Sequence, residues 1–245
     1  MALSGADVTL KALHTAATWT DRARQATEYR RGRVLLAGDA AHIHSPLGGQ
    51  GLNLGLGDAM NLGWKLAATV KGMAPDGLLD SYVQERRPEG ARILDWSRAQ
   101  VALMRPSPSS RALESITRNL IDTQDGATWF AEQIWGVTLR YDLGSEHPLV
   151  GRSVPDFDLS NGNRLASVFS SGKGVLLDFG GHGALQGVAD RWADRIVYAA
   201  PDAEVSFGLS AVLVRPDGIV AWVAESAPDI GQLVVGASRW FGQPD

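Results

Sequence analysis

The stretch of sequence that decides the fold runs from Arg33 to Leu66 and reads RVLLAGDAAHIHSPLGGQGLNLGLGDAMNLGWKL. The apolar run over 33–37 ends at Gly38-Asp39, which is typical of a buried strand of a parallel sheet that ends in a turn. A glycine-rich loop over 45–51 follows, and helical spacing of apolar residues predicts a long helix from about Leu52 to Lys71. A strand, a glycine-rich loop and a helix in this order predict an α/β fold with a ligand site where the strand ends.

The residues of this loop suit a ligand that combines hydroxyl groups with an electron-rich ring. Asp39, when ionised, only accepts hydrogen bonds and therefore suits the hydroxyls of a sugar-like chain. Three glycines, Gly48, Gly49 and Gly51, let the backbone approach a ligand with no Cβ in the way. The free N–H groups and the dipole at the start of the helix favour an anionic or electron-rich group. A ribityl-flavin is one ligand of this description.

Long helices are predicted for the rest of the first half. The helix over 52–71 is expected to bury an apolar face, with Trp64 and Lys65 as packing and surface residues. A second helix is predicted over 78–104, with Pro88 as a possible kink or break, and a third over 111–135. A strand or strand pair is predicted over 7–19. The expected buried face consists of Leu52, Leu56, Ala59, Gly63, Leu66, Ala67 and Val70.

The second half has the pattern of a small α/β domain. Turn residues concentrate over 141–158, which predicts a linker between a first domain, 1–140, and a second domain, 159–245. Beyond the linker we predict strands over 174–179, 196–198 and 211–214, and Asp217-Gly218 indicates a hairpin from the last of these to 219–222. Helices are predicted over 184–194 and 229–241.

Composition excludes several classes of function. The net charge of −4 argues against a nucleic-acid partner, because phosphate binding needs a basic surface. No apolar run approaches the ~20 residues that cross a bilayer. The first residues do not read as a signal peptide, so a cytoplasmic location is expected. The sequence has no cysteine, which removes disulfides, thiolate nucleophiles and cysteine-ligated metals.

The quoted stretch resembles the second FAD-binding motif of the class A flavoprotein aromatic hydroxylases. It is most similar to bacterial enzymes that hydroxylate aromatic polyketides. Tyr82 with Glu85-Arg86-Arg87-Pro88 resembles the helix that follows in that family. The run over 214–222 resembles a hairpin of its C-terminal thioredoxin-like domain, which carries no redox cysteines. The elements that carry the resemblance are Gly38-Asp39-Ala40-Ala41-His42, Pro46, Gly48-Gly49-Gln50-Gly51-Leu52-Asn53, Asp58-Ala59 and Asn61-Leu62-Gly63-Trp64-Lys65-Leu66.

The resemblance implies FAD as cofactor and NADPH as the transient reductant, with oxygen transferred to an electron-rich aromatic ring of a polyketide-like small molecule. Asp39 would accept hydrogen bonds from the ribityl chain, and Pro46 would lie beside the isoalloxazine ring. The N–H groups of Gly51, Leu52 and Asn53 would face the pyrimidine edge of the ring, where the reduced flavin carries negative charge. The implied cofactor-binding residues are Gly38, Asp39, Pro46, Gly48, Gly49, Gly51, Leu52 and Asn53.

The family also begins with a strand, a G-x-G-x-x-G turn and a helix that bind the ADP pyrophosphate, and this sequence contains no such element. We therefore expect the chain to be a truncated form that supplies the isoalloxazine side of the site and binds FAD weakly alone. A homodimer or a partner polypeptide would supply the missing half. Two alternatives stay open: a flavin-free shortened homologue that hydrolyses, dehydrates or cyclises a polyketide intermediate, and a non-catalytic partner subunit.

His42 and His44 are the candidates for catalytic residues. They are two residues apart, so on a strand both side chains would point to one face, as two metal ligands do. With no cysteine and no obvious third ligand, no metal site is predicted. Packing or a polar contact in the loop is one interpretation of these histidines, and a general acid or base role in the pocket is another.

Overall fold

The computed structural model describes residues 9, 11–18, 22–156, 158–159, 162–200 and 206–244. The chain forms two compact units. One comprises Met1–Ala59 and Arg86–Val137, and the other comprises Met60–Glu85 and Thr138–Asp245. Each unit is therefore built from segments that are separate in the sequence. Among the described residues, no helix is long and apolar enough to cross a bilayer.

The first unit begins with four two-residue strands that pair antiparallel. Strands β1 (Arg24–Gln25) and β4 (His42–Ile43) form one pair, and β2 (Arg30–Arg31) and β3 (Val34–Leu35) form the other. The connection from β2 to β3 turns at Gly32, whose φ of +59° favours glycine.

The prediction of a buried parallel strand over 33–37 is wrong. Strand β3 pairs with its neighbour in sequence, and Val34 is 65% exposed. A short apolar run does not reveal its partner, and the tight turn at Gly32 makes the local antiparallel pair possible. The strand predicted over 7–19 is also wrong for the part of that range that the structure describes, since Thr9 and Lys11–Thr18 have no regular secondary structure. The remaining positions of that prediction lie outside the described residues.

Four helices complete the first half of the chain: α1 (Gln50–Val70), α2 (Leu78–Met104), α3 (Pro108–Ile121) and α4 (Gln124–Trp135). The first two agree with prediction, and α2 continues through Pro88 without a break. The single helix predicted over 111–135 is wrong, because it divides between α3 and α4.

The division follows from local capping at the start of α4. The Thr123 hydroxyl accepts a hydrogen bond from the Gly126 N–H at 3.1 Å, which caps the new helix. A Cβ at Gly126 would lie 1.9 Å from the Leu120 carbonyl oxygen, so the bend requires glycine there.

The second unit contains a four-stranded sheet with helices. Its strand order is β6-β5-β7-β8, in which β5 and β6 are parallel and the other neighbours antiparallel. This order is that of a thioredoxin-like sheet, and it confirms the predicted fold class. The elements are α5 (Leu165–Val168), β5 (Gly174–Asp178), α6 (Gly183–Asp190), β6 (Ile196–Ala199), β7 (Ala211–Val214), β8 (Val220–Ala224) and α7 (Ile230–Phe241).

The core of this unit lies along the two central strands, since every residue of β5 and β7 is buried. The predicted hairpin joins β7 to β8, and Gly218 turns it with a φ of +77°. Asp229 caps α7 by accepting a hydrogen bond from the Gln232 N–H at 3.0 Å. Strands with continuous apolar runs and a helix with a strong cap are the elements that local sequence specifies best.

Candidate functional site

Helix α1 buries a stripe that is mostly polar instead of the predicted apolar face. Leu52, Leu56 and Val70 of that predicted face are 75%, 54% and 79% exposed. The prediction is wrong because hydrophobic spacing does not reveal that polar side chains on the opposite face have buried partners. The residues that α1 does bury are Gln50, Leu54, Asp58, Asn61 and Lys65.

Asp58 is the centre of a buried hydrogen-bond network in the first unit. Its carboxylate accepts from the Gly38 N–H at 2.9 Å, from His42 Nε2 at 2.7 Å and from Arg86 Nε at 2.8 Å. Burial raises the pKa of this carboxyl, but the hydrogen bonds from His42 and Arg86 outweigh it and hold the pKa below its usual value. Ionised Asp58 therefore fixes the Gly38-Asp39 turn and β4 against α1.

Two glycines inside α1 allow this close packing. A Cβ at Gly55 would lie 3.5 Å from the Gly38 Cα, and a Cβ at Gly57 would lie 2.7 Å from the Arg86 guanidinium. Gly63, by contrast, has no close neighbour, since a Cβ there would have no described atom within 4 Å. Close approach of the Gly38 backbone thus explains Gly55, the adjacent Arg86 side chain explains Gly57, and nothing in the structure explains Gly63.

An open depression of about 510 Å³ lies between the loop and the start of α1. Helix α1 begins at Gln50, and two residues of its first turn, Gly51 and Leu52, line this depression. The N–H groups of a first turn have no acceptor within the helix. Gly49 turns the loop with a φ of +67°. The lining residues are Asp39, Ile43, His44, Pro46, Gly49, Gly51, Leu52, Gly55 and Leu56.

Five of the eight residues predicted to bind the cofactor line the depression, namely Asp39, Pro46, Gly49, Gly51 and Leu52. The other three lie next to it in sequence but do not line it. The Gly38 N–H donates to Asp58, and Gly48 faces the Gln100 side chain, with φ at +68°. The Asn53 amide donates to the Gly49 carbonyl at 3.2 Å, which ties the loop to the helix.

The structure separates the two histidines. His42 Nε2 donates to Asp58, its side chain is buried, and it does not line the depression. His44 lines the depression, and its Nδ1 donates to the Ser45 carbonyl at 2.8 Å, which leaves Nε2 as an acceptor. That Nε2 is buried, and no described residue bonds to it. Among the described residues, no group of three or more possible metal ligands occurs.

A second buried network, which sequence reasoning missed, lies in the second unit. Lys65 Nζ donates to Glu85 at 3.0 Å, and Arg215 donates to both oxygens of Glu85 at 2.8 Å. Arg215 also pairs with Asp217 and lies 4.5 Å from the Trp240 ring centroid. Burial lowers the pKa of Lys65 to about 8, against the opposing effect of Glu85. The expectation that Lys65 lies at the surface is wrong, because Glu85 compensates its charge.

Two family models match the sequence. Residues 2–97 match the model described as FAD binding domain, and residues 147–244 match the model described as Aromatic-ring hydroxylase, C-terminal. A monooxygenase of Claviceps purpurea is 48% identical over 99% of this chain, which covers 48% of that protein. Rifampicin monooxygenase of Rhodococcus hoagii is 43% identical over 99% of this chain, which covers 49% of it. The solved structure of OxyS anhydrotetracycline hydroxylase from Streptomyces rimosus is similar with a TM-score of 0.87 at 44% identity, over 92% of this chain and 48% of that one.

Over almost its whole length, this chain resembles the C-terminal half of the FAD-dependent aromatic-ring hydroxylases, a family to which both models and these relatives point. It spans about half the length of the curated relatives it matches. It corresponds to the C-terminal half of a family member, because residues 147–244 match the C-terminal model of the aromatic-ring hydroxylases. FAD is the cofactor of this family.

The residues around the depression fit the flavin part of that cofactor. A Cβ at Gly51 would lie 3.6 Å from His44 Nε2, so a side chain at this position would pack against the imidazole. Asp39 offers a carboxylate to hydroxyl groups, and the start of α1 offers N–H donors to an electron-rich edge. The depression thus has an acceptor, a set of donors and an apolar wall made by Leu52 and Leu56.

Proposed function

We propose that the depression holds the isoalloxazine ring of FAD and that this chain supplies one side of the active site of an aromatic polyketide hydroxylase. The proposal depends on two neighbouring residues at one wall of the depression. Gly51 lies at the start of α1, and the buried Nε2 of His44 beside it has no hydrogen-bond partner among the described residues. A buried acceptor without a partner costs free energy unless a ligand satisfies it, by about 1–3 kcal/mol.

The proposal assigns a role to several residues that line the depression or lie next to it in sequence. Asp39 accepts hydrogen bonds from the ribityl hydroxyls, and Pro46 lies beside the ring. The N–H groups of Gly51, Leu52 and Asn53 stabilise negative charge on the pyrimidine edge, because the positive end of the helix dipole lies there. His44 accepts a hydrogen bond through Nε2. FAD, when bound and reduced by NADPH, would supply the activation of O2, with one oxygen atom passing to an electron-rich phenolic ring and the other leaving as water.

We infer that protein outside these 245 residues holds the ADP part of the cofactor. The chain contains no G-x-G-x-x-G element after a strand, and its relatives are about twice as long. Leu52 and Leu56 at the wall of the depression are exposed apolar side chains, which further protein or the ligand would cover. A longer polypeptide, a second polypeptide and a homodimer all meet this requirement.

The test is a titration of the 245-residue chain with FAD and, separately, with riboflavin, followed through the visible absorption bands. Gly51→Ala places a methyl group in the depression without backbone strain, since Gly51 does not have a positive φ. Gly63→Ala is the matched control on the same helix, because its Cβ meets nothing. We expect riboflavin to bind the wild type and Gly63→Ala alike, and to bind Gly51→Ala about tenfold more weakly, equivalent to 1.4 kcal/mol.

The two ligands separate the possible outcomes. FAD that stays with the protein after desalting would indicate completion of the site by self-association, which sedimentation would then show as a dimer. Riboflavin binding with free FAD after desalting would indicate that a further polypeptide segment is needed. No perturbation by either ligand would overturn the proposal and favour non-oxidative chemistry or a non-catalytic subunit.

A further inference from the structure

The outward side of helix α1 carries no charged residue. The two charged residues of this 21-residue helix, Asp58 and Lys65, both have side chains that are withdrawn from solvent. A helix at a protein surface normally shows the opposite arrangement, with apolar residues inside and charged residues outside. Helix α1 is therefore inverted relative to a surface helix.

Five exposed residues form one face on the part of α1 that belongs to the second unit. They follow one another at steps of three or four residues, the spacing that places side chains on one side of a helix. Met60, Leu66 and Val70 are 59%, 40% and 79% exposed, and Gly63 and Ala67 are also exposed. We call these five residues the outer face of α1. A contiguous apolar face of this kind indicates an interaction surface, whereas single exposed apolar residues do not.

Gly63 and Ala67 give the outer face a shallow centre. Gly63 does not have a positive φ, and a Cβ there would meet no described atom within 4 Å, so neither the backbone nor the packing of this chain requires glycine. Glycine is a poor helix former, and its advantage at such a position is that another backbone can approach closely. A second helix that packs against the outer face would therefore explain this residue.

The charges of α1 distinguish a protein from a membrane surface as the occupant. A helix that lies on a membrane presents lysine and arginine on the side opposite its apolar face. In α1 that opposite side carries Lys65, whose ammonium group donates to Asn61 and to Glu85 inside the protein. The outer face thus suits an uncharged surface of another protein segment.

The length of the relatives indicates which segment this is. The chain spans about half the length of the relatives it matches, so each of them contains about as much protein again. By helical spacing, Leu56 and Leu52 continue the outer face along α1 to the depression, which both residues line. The protein that holds the ADP part of the cofactor has to begin at this depression, so it is placed to extend along α1.

We propose that the outer face of α1 binds an apolar helix of the protein segment that holds the ADP part of the cofactor. That helix packs across Gly63 and Ala67, where the surface is shallow, and the three larger side chains contact its flanks. Burial of these apolar side chains supplies the driving force for association. The choice of partner rests on the proposed function, whereas the outer face itself does not depend on flavin binding.

The experiment uses the full 245-residue chain, co-expressed with the half of the Rhodococcus hoagii rifampicin monooxygenase that this chain does not match. Sedimentation velocity without added flavin measures the complex, and we expect an equimolar one with the wild-type chain. Gly63→Leu fills the centre of the outer face and should weaken the complex by at least about tenfold. Gly187→Leu is the matched control, because Gly187 is an exposed glycine of helix α6 whose Cβ would also meet no described atom within 4 Å. It should leave the complex unchanged.

A second pair of variants tests the outer face with a charge instead of volume. Val70→Lys places an ammonium group on the outer face and should also weaken the complex, because the charge would have to lose its water on binding. Val235→Lys is its control, since Val235 of helix α7 is 71% exposed and does not belong to the outer face. Thermal unfolding of the four variants shows whether each is folded.

Three results would overturn the proposal. One is the absence of a complex with the wild-type chain. Another is a complex that Gly63→Leu and Val70→Lys leave unchanged, which would place the contact elsewhere. The third is a wild-type chain that sediments alone as a dimer and becomes a monomer in Gly63→Leu, which would make a second copy the occupant. Sedimentation needs no flavin and the riboflavin titration needs no partner, so failure of this proposal is distinguishable from failure of the proposed function.

Discussion

His42 and Asp58 form a hydrogen bond of 2.7 Å between two side chains that are both withdrawn from solvent. The bond joins β4 to α1, and Arg86 of α2 binds the same carboxylate at 2.8 Å. Three elements of the first unit thus meet at one aspartate, next to the turn that presents Asp39 to the depression. The stability of this turn should depend on Asp58 more than on any surface ion pair.

Replacing Asp58 by alanine should lower the free energy of unfolding by about 3–5 kcal/mol, because it removes the carboxylate that compensates the charge of the buried Arg86 guanidinium. Asp95→Ala is the matched control. Asp95 pairs with Arg98 in an exposed position, and loss of such a pair changes stability by about 0–1 kcal/mol. Urea unfolding followed by tryptophan fluorescence measures both. Equal losses in the two variants would contradict a special role for the buried network.

Gly57→Ala should destabilise the protein by about 1–3 kcal/mol, the usual effect of forcing extra volume into a packed site. The new Cβ would lie 2.7 Å from an Arg86 nitrogen, and that guanidinium is held by Asp58 and by the Leu54 carbonyl. Gly63→Ala on the same helix should instead be neutral or stabilising by up to about 1 kcal/mol, because alanine is the better helix former. Thermal unfolding of Gly57→Ala and Gly63→Ala measures both effects. A Gly57→Ala variant more stable than the wild type would contradict the close packing of Gly57 against Arg86.

The stability of the second unit should rise between pH 8 and pH 10.5 because of Lys65. Burial lowers the pKa of folded Lys65 to about 8, whereas its ordinary value is 10.5. The unfolded chain therefore binds more protons in this interval, and the free energy of unfolding increases with pH there. Lys65→Met removes the effect, so the stability difference between wild type and variant should change across the interval. A difference that stays constant from pH 7 to pH 10.5 would show that Lys65 does not titrate in this way.

Arg215→Lys should destabilise the protein by about 2–3 kcal/mol even though the charge is retained. Only the planar guanidinium can donate to both oxygens of Glu85 and also stack on Trp240. Arg164→Lys serves as the comparison, since Arg164 pairs with Asp156 in an exposed position. Chemical denaturation of both variants tests this, and equal midpoints would mean that lysine replaces Arg215 without loss.

Patterns of neighbouring residues correctly predicted most elements of the second unit and the two long helices α1 and α2. The runs over 174–178 and 211–214, the Asp217-Gly218 turn and the helix over 78–104 all depend on neighbours within a few residues. The loop over 45–51 was recognisable for the same reason, since its glycines and its helix start are contiguous. Three residues of this loop, Pro46, Gly49 and Gly51, are among the five predicted cofactor-binding residues that line one depression.

The sequence by itself therefore determined the family, the thioredoxin-like sheet and the position of the glycine-rich loop. Only the tertiary structure decided which face of α1 is buried, which strand pairs with β3, and why Lys65 lies inside. Those outcomes depend on partners far along the chain, such as Arg86 for Asp58, 28 residues away, and Arg215 for Glu85, 130 residues away. A buried charge is stable only when its partner is in place, and hydrophobic spacing carries no information about that partner.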